Sequence, residues 1–228
     1  MNKYDFLIDS AKEHQKLDEY QRGNIGCVEE DGIFRGCSVA CTVYDYEMYI
    51  GGDIYDIKYY NFYNHDYLSE ILEVPEWVCH LQEAFFENIS ESKLKTFNVD
   101  FLKLLKENHH ENMDLVEPKF LLYVVQDAKK SVNKDYTQLL SVMSKAEEAL
   151  QDWIEKGVPD EEKMNTAEDA LKLDAAWATN AEFAAICVEE IVEIVESASW
   201  ASESYEIAEK SEKYDQFCDK FFELVKDA

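Results

Sequence analysis

A chain of 228 residues that is 46% hydrophobic, with 14 Tyr and 12 Phe, holds enough apolar material for a sizeable core, and this excludes global disorder. Its 49 acidic against 22 basic side chains leave a formal charge of −27, which repels nucleic acid and anionic membrane and attracts basic protein surfaces or cations. Only 7 Gly and 3 Pro favour helices over a turn-rich β architecture.

No apolar run is long enough to span a membrane, and the opening MNKYDFLIDSAKEHQK lacks the apolar core and cleavage site of a signal peptide. Six scattered cysteines (27, 37, 41, 79, 187, 218) read as reduced, buried thiols of a cytoplasmic protein rather than a disulfide framework. An acidic halophile surface would share this composition.

In chain order, residues 3–21 read as an amphipathic helix with Tyr4, Leu7, Ile8, Ala11 and Leu17 inward, stopped by Gly23-Asn24. Residues 25–36 read as a short hairpin around Glu30-Asp31-Gly32. The segment 36–43 fits a short helix or a strand equally well. From Asp45 to Tyr67 the chain is crowded with tyrosines and acids and reads as an irregular loop. Its Asp45, Glu47, Asp53, Asp56, Tyr59 and Tyr60 form a secondary candidate partner surface, because tyrosine supplies contact area at low entropic cost. A loop folded onto the core is the plainer alternative.

Helices are expected over 67–73, 75–89, 99–107, 118–132, 135–156 and 160–179, then through an organising helix at Asn180–Ser199 and a last one over 202–226. The expected fold is therefore mostly α. A helical bundle-like acidic domain (91–228) follows a small N-terminal lobe (1–90) with one short β-hairpin, or the two form one continuous globular unit.

In the organising helix, Phe183, Ala184, Cys187, Ile191, Ile194, Val195 and Ala198 share one face. Glu182, Glu189, Glu193 and Glu196 line the opposite face, with Glu190 beside them and Glu203 and Trp200 extending the row. No Lys or Arg occurs between Lys172 and Lys210. Neighbouring carboxylates at this spacing repel by roughly 0.2–0.5 kcal/mol per pair. On 135–156 the outward acids are Glu147, Glu148, Asp152 and Glu155. Most charged helix faces are merely solvated. A one-signed excess over consecutive helices instead points to a basic partner, with Trp200 as an interface anchor.

Cys27, Cys37, Cys41 and His65 have the ligand types of a Cys₃His zinc site, weighed against buried thiols beside an ordinary histidine, and the latter is preferred: no cofactor is expected. Cys37 or Cys41 with His65 is a weaker nucleophile arrangement, since the nearby acids raise a thiol pKa. No phosphate-binding glycine loop, helix-borne Glu-x-x-His or basic patch occurs, so no catalytic residue and no direct nucleic-acid binding are assigned.

Two segments carry a resemblance. One is Arg35-Gly36-Cys37-Ser38-Val39-Ala40-Cys41. The other is His65 followed by Leu72-Glu73-Val74-Pro75-Glu76-Trp77 and a helix ending Ala84-Phe85-Phe86-Glu87-Asn88-Ile89. This order is similar to that of uncharacterised phage and mobile-element proteins with a GC-x-x-x-C segment, a His and an L-G-I-P-like helix start. The similarity covers about residues 35–90, and Glu73 stands in place of the usual glycine. It implies a phage or mobile-element setting and brings no established activity.

Three function classes follow. The leading one is a non-enzymatic inhibitor whose acidic surface occupies the nucleic-acid-binding site of a basic host or defence protein, as a DNA-mimic counter-defence (anti-CRISPR or anti-restriction) protein would. The second is an acidic interaction module or chaperone-like partner without mimicry. The third is a Cys/His zinc protein or cysteine-dependent enzyme.

Overall fold

Helix α1 (Lys3–Leu17) buries Tyr4, Leu7, Ile8, Ala11 and His14 along one face, the stripe of a docked helix. The Asn2 side chain accepts the Asp5 backbone N–H at 2.8 Å and closes the first turn. Leu17, expected inward, is 57% exposed, and His14 takes the next place on the buried stripe instead. These positions come from a computed structural model that describes residues 2–17, 19–29, 32–51, 62, 64–108, 113–131, 134, 137–164 and 207–228.

The protein is mostly helical, with one small antiparallel hairpin near the N-terminus. Strands β1 (Cys27–Val28) and β2 (Phe34–Arg35) pair Cys27 with Arg35 and Val28 with Phe34. Two glycines let the hairpin close onto the helix that follows. A Cβ on Gly26 would lie 2.7 Å from the Phe34 ring, and one on Gly36 would lie 2.9 Å from Ala40 Cβ and 3.0 Å from Gly26 Cα.

Helix α2 (Ser38–Ile50) starts directly after the hairpin, with Cys37 as its N-cap, and ends on Gly51 in the left-handed conformation. It resolves the helix-or-strand ambiguity of segment 36–43. It also corrects the loop reading, because the helix continues through Asp45, Glu47 and Ile50. Ser38, Val39, Ala40, Cys41, Thr42, Val43, Asp45 and Glu47 are all buried, so α2 is covered on nearly every side until its last turn, where Met48, Tyr49 and Ile50 are exposed.

Helix α3 (His65–Leu72) is capped by the Asn64 side chain, which accepts the Tyr67 N–H at 2.9 Å. It ends on Glu73 at φ 55°, ψ 44°. Helix α4 (Glu76–Asn88) follows Pro75, which serves as its N-cap, and buries Val78, Cys79, Leu81, Gln82, Ala84, Phe85 and Phe86. Helix α5 (Glu91–Glu107) starts a full two turns before the periodicity suggests. Its entry is fixed by Asp215, whose carboxylate accepts the Ser90 N–H at 3.0 Å and whose carbonyl accepts Lys93 Nζ at 2.8 Å.

The chain divides into two compact units, Met1–His110 with Ser211–Cys218, and Glu111–Lys210 with Asp219–Ala228. The first gathers α1 to α5 and the hairpin around α2. Its aromatic core includes Phe85, Phe97 and Phe101, with the Phe97 and Phe101 rings 5.6 Å apart. Each such buried ring contributes about 1.5–3 kcal/mol by leaving water.

The second unit packs α6 (Met113–Ser131) against α7 (Thr137–Lys156). Phe120, Leu121, Val124, Met143, Ala146 and Leu150 are among its buried side chains. Helix α8 (Ile207–Lys226) supplies Phe221 to it, whose ring meets Phe120 edge-on at 5.7 Å. Among the described residues, no helix is long and apolar enough to cross a membrane.

Candidate functional site

The acids of α7 fall into two groups, two exposed and two partly buried. Glu148 and Glu155 are exposed and make no ion pair among the described residues. Glu147 instead pairs with Lys129 of α6, which also donates to Ser144 Oγ at 2.9 Å. Asp152 accepts Lys156 at 2.7 Å and Lys163 at 3.0 Å. Those two hydrogen bonds hold its carboxyl below the usual carboxylate range.

The α7 row is therefore thinner than its sequence suggests. Glu148 and Glu155 are seven residues apart, which is about 10 Å along the axis. Duplex DNA presents about six phosphate charges over that length. The denser set of Glu182, Glu189, Glu190, Glu193, Glu196, Trp200 and Glu203 lies outside the described residues, as do Asp53, Asp56, Tyr59 and Tyr60.

Asp45 and Glu47, read as exposed loop acids, are instead buried at 6% exposure each. Burial of a charged carboxylate requires partners, and both have them. Glu47 accepts the Tyr67 hydroxyl, and Asp45 lies 2.8 Å from His14 Nε2. Neither presents a free carboxylate to a partner protein.

The cysteines and His65 are spread over three elements, with Cys37 and Cys41 together on α2. Cys27 is exposed on β1, Cys37 caps α2 and Cys41 lies in its first turn, both buried. Burial first, then the Glu83 carboxylate and that of Glu87, push the Cys37 thiol up to about 11 despite help from the backbone N–H groups of Ala40 and Val39. Burial pushes Cys41 well above its ordinary value, and Asp45 adds to the effect. Both shifts disfavour the thiolate, the nucleophilic form of the side chain.

His65 packs flat on His80, with ring centroids 4.0 Å apart, and its Nε2 lies 2.7 Å from Glu83. His80 faces Glu76 at 3.3 Å. Among the described residues, no group of three His, Cys, Asp or Glu side chains is placed to hold a metal ion.

The most concentrated buried chemistry was not singled out in the sequence. His14 Nδ1 lies 2.5 Å from Glu19 Oε2, and His14 Nε2 lies 2.8 Å from Asp45 Oδ1. Burial alone lowers the His14 pKa, but the hydrogen bond and charge of Asp45, followed by those of Glu19, outweigh it and leave it raised. Burial raises Asp45, and His14 only partly offsets this.

A neutral polar chain continues alongside. Gln82 Nε2 donates to Asn98 Oδ1 at 2.8 Å, Asn98 Nδ2 donates to the Tyr20 hydroxyl at 2.5 Å, and Thr42 donates to the Ser38 carbonyl at 2.7 Å. The one advance signal was a histidine at the next place on α1's apolar stripe. Its partners lie five and 31 positions away, beyond any local motif.

No protein-family model matches the chain, and no solved structure matches it. One similarity reaches a characterised protein. The chain is 35% identical over 114 residues to a lysine–tRNA ligase of Aquifex aeolicus, covering 46% of this chain and 18% of that protein. The chain thus spans less than a fifth of that relative's length.

Proposed function

We propose that this chain is a non-enzymatic acidic inhibitor that binds the basic, nucleic-acid-binding surface of a target protein in the cytoplasm of an infected or host cell. The observation that carries this reading is the formal charge of −27, with 49 acidic against 22 basic side chains. Such a field attracts a basic cleft over nanometre distances and speeds encounter at low salt. The setting is phage counter-defence, following the resemblance of residues 35–90.

The buried, weakly acidic thiols at Cys37 and Cys41 support a role without covalent catalysis. A match to 18% of a lysine–tRNA ligase does not bring that enzyme's activity with it.

A second reading, an acidic interaction module without mimicry of nucleic acid, is favoured by one feature. Lysines neutralise Glu147 and Asp152 on α7, which breaks the row a duplex would present unbroken. Competition separates the two readings. If mimicry holds, short duplex DNA displaces the chain from its target; if the chain is a general acidic module, salt weakens binding but duplex DNA does not compete at the same site.

A further inference from the structure

Both ring nitrogens of His14 meet carboxylate oxygens, Glu19 at 2.5 Å and Asp45 at 2.8 Å. All three residues are 8% exposed or less. A neutral imidazole carries one N–H and an ionised carboxylate carries none. With His14 neutral and both acids ionised, one of the two contacts sets a lone pair against a lone pair. The cluster is complete only while it holds one more proton.

The cluster also sits where the chain is joined. Glu19 follows α1 and begins the segment that leads into the hairpin. Its N–H donates to the His14 carbonyl at 3.0 Å, and its carbonyl accepts the Gly36 N–H at 3.3 Å. The Gln21 N–H donates to the Gly36 carbonyl at 2.8 Å, and the Cys37 N–H to the Asn24 carbonyl at 2.7 Å. Asp45 lies in the middle of α2. The imidazole therefore links the exit of α1, the start of the hairpin segment and the central helix of this unit.

We propose that His14, Glu19 and Asp45 form a proton-operated latch that holds the segment from Glu19 to Gly36 against α1 and α2, and that loss of the bound proton releases it. The other titratable groups facing the cluster are Tyr20, whose ring lies 5.5 Å from His14, and Cys41 and Tyr44 beside Asp45. These three are neutral at pH 7. From α5 the facing group is Asn98, which donates to the Tyr20 hydroxyl and carries no charge. No Lys or Arg forms an ion pair with Glu19 or Asp45 among the described residues, so no neighbouring cation replaces the proton.

The latch holds at and below the ordinary histidine pKa of about 6.5 and opens as pH rises toward the raised value of the clustered group. Over that interval the opening constant increases by up to about tenfold per pH unit, the limit for one proton.

The test is hydrogen exchange by NMR on the full chain between pH 6 and 9, with the side-chain nitrogens of His14 followed in parallel. At pH 6 both His14 ring nitrogens should carry protons. As His14 titrates, exchange at the Gln21, Gly36 and Cys37 amides should outrun that at the Val124 and Val125 amides of α6, which serve as the internal reference for intrinsic base catalysis.

Asp45→Asn removes the need for the extra proton, because its amide donates to a neutral imidazole that in turn donates to Glu19. In that variant the excess should vanish while the fold is kept. A neutral His14 between two ionised carboxylates at pH 6, amides that keep pace with α6 in the parent, or an unchanged excess in Asp45→Asn would each overturn the latch.

Discussion

Replacing Glu73 with glycine should stabilise the protein. Glu73 ends α3 at φ 55°, ψ 44°, with its N–H on the Ser69 carbonyl. Among the described residues it is the one non-glycine with positive φ. An L side chain in this region is destabilised by about 1–2 kcal/mol, which glycine avoids.

Two terms oppose the gain. The Lys3–Glu73 pair at 2.7 Å is lost, but Glu73 is 63% exposed there, so the pair is worth about 0.5 kcal/mol. Glycine also has greater freedom in the unfolded chain, worth about 0.5 kcal/mol. The net stabilisation is about 0.5 kcal/mol, or roughly 1–2 °C in Tm for a chain of this size.

Thermal and urea unfolding should be run in two backgrounds, the parent and Lys3→Met. With the ion pair already absent, the gain from Glu73→Gly should rise to about 1 kcal/mol. Destabilisation in both backgrounds would refute the strain argument.

Gly36→Ala should destabilise by about 1–3 kcal/mol, because the new methyl group meets Gly26 Cα at 3.0 Å and backbone cannot step aside; an unchanged urea midpoint would contradict this packing. Burial, followed by the Asp114 charge, raises Glu117 to about 7. The folded chain therefore keeps a proton there that the unfolded chain loses above the ordinary glutamate range, and stability from this group falls as pH rises through 7. Glu117→Gln should thus stabilise more at pH 8 than at pH 5 in urea titrations, and an equal effect at both would refute it. Alkylation of the native chain at pH 8, mapped by mass spectrometry, should label exposed Cys27 about a hundredfold faster than Cys37, Cys41 or Cys79, and comparable rates would contradict their burial.

Amphipathic elements were legible because their period is visible. The face Tyr4, Leu7, Ile8 and Ala11 and the run from Trp77 to Ile89 each show one apolar stripe, and the hairpin announced itself by its turn residues. Helix α2 was not legible for the opposite reason. A helix buried on nearly every side has no polar face to set a period, so GCSVACTV reads equally as strand. The acids that follow, Asp45 and Glu47, looked like solvent groups because their partners His14 and Tyr67 are 31 and 20 residues away. On α7 Glu148 and Glu155 are exposed, whereas Glu147 and Asp152 are partly buried, and their neutralisation by Lys129 and Lys163 depends on neighbours outside the helix.

The central claim is that carboxylates arrayed on this chain occupy a nucleic-acid-binding surface. Its most direct measurement immobilises the full chain, and in parallel a variant with Glu182, Glu189, Glu193 and Glu196 all changed to Gln, and captures protein from a host lysate at low salt. The parent should retain a basic protein that short duplex DNA and about 1 M salt each release, and that the variant retains weakly. Retention that is equal on parent and variant and indifferent to both salt and duplex DNA would contradict it.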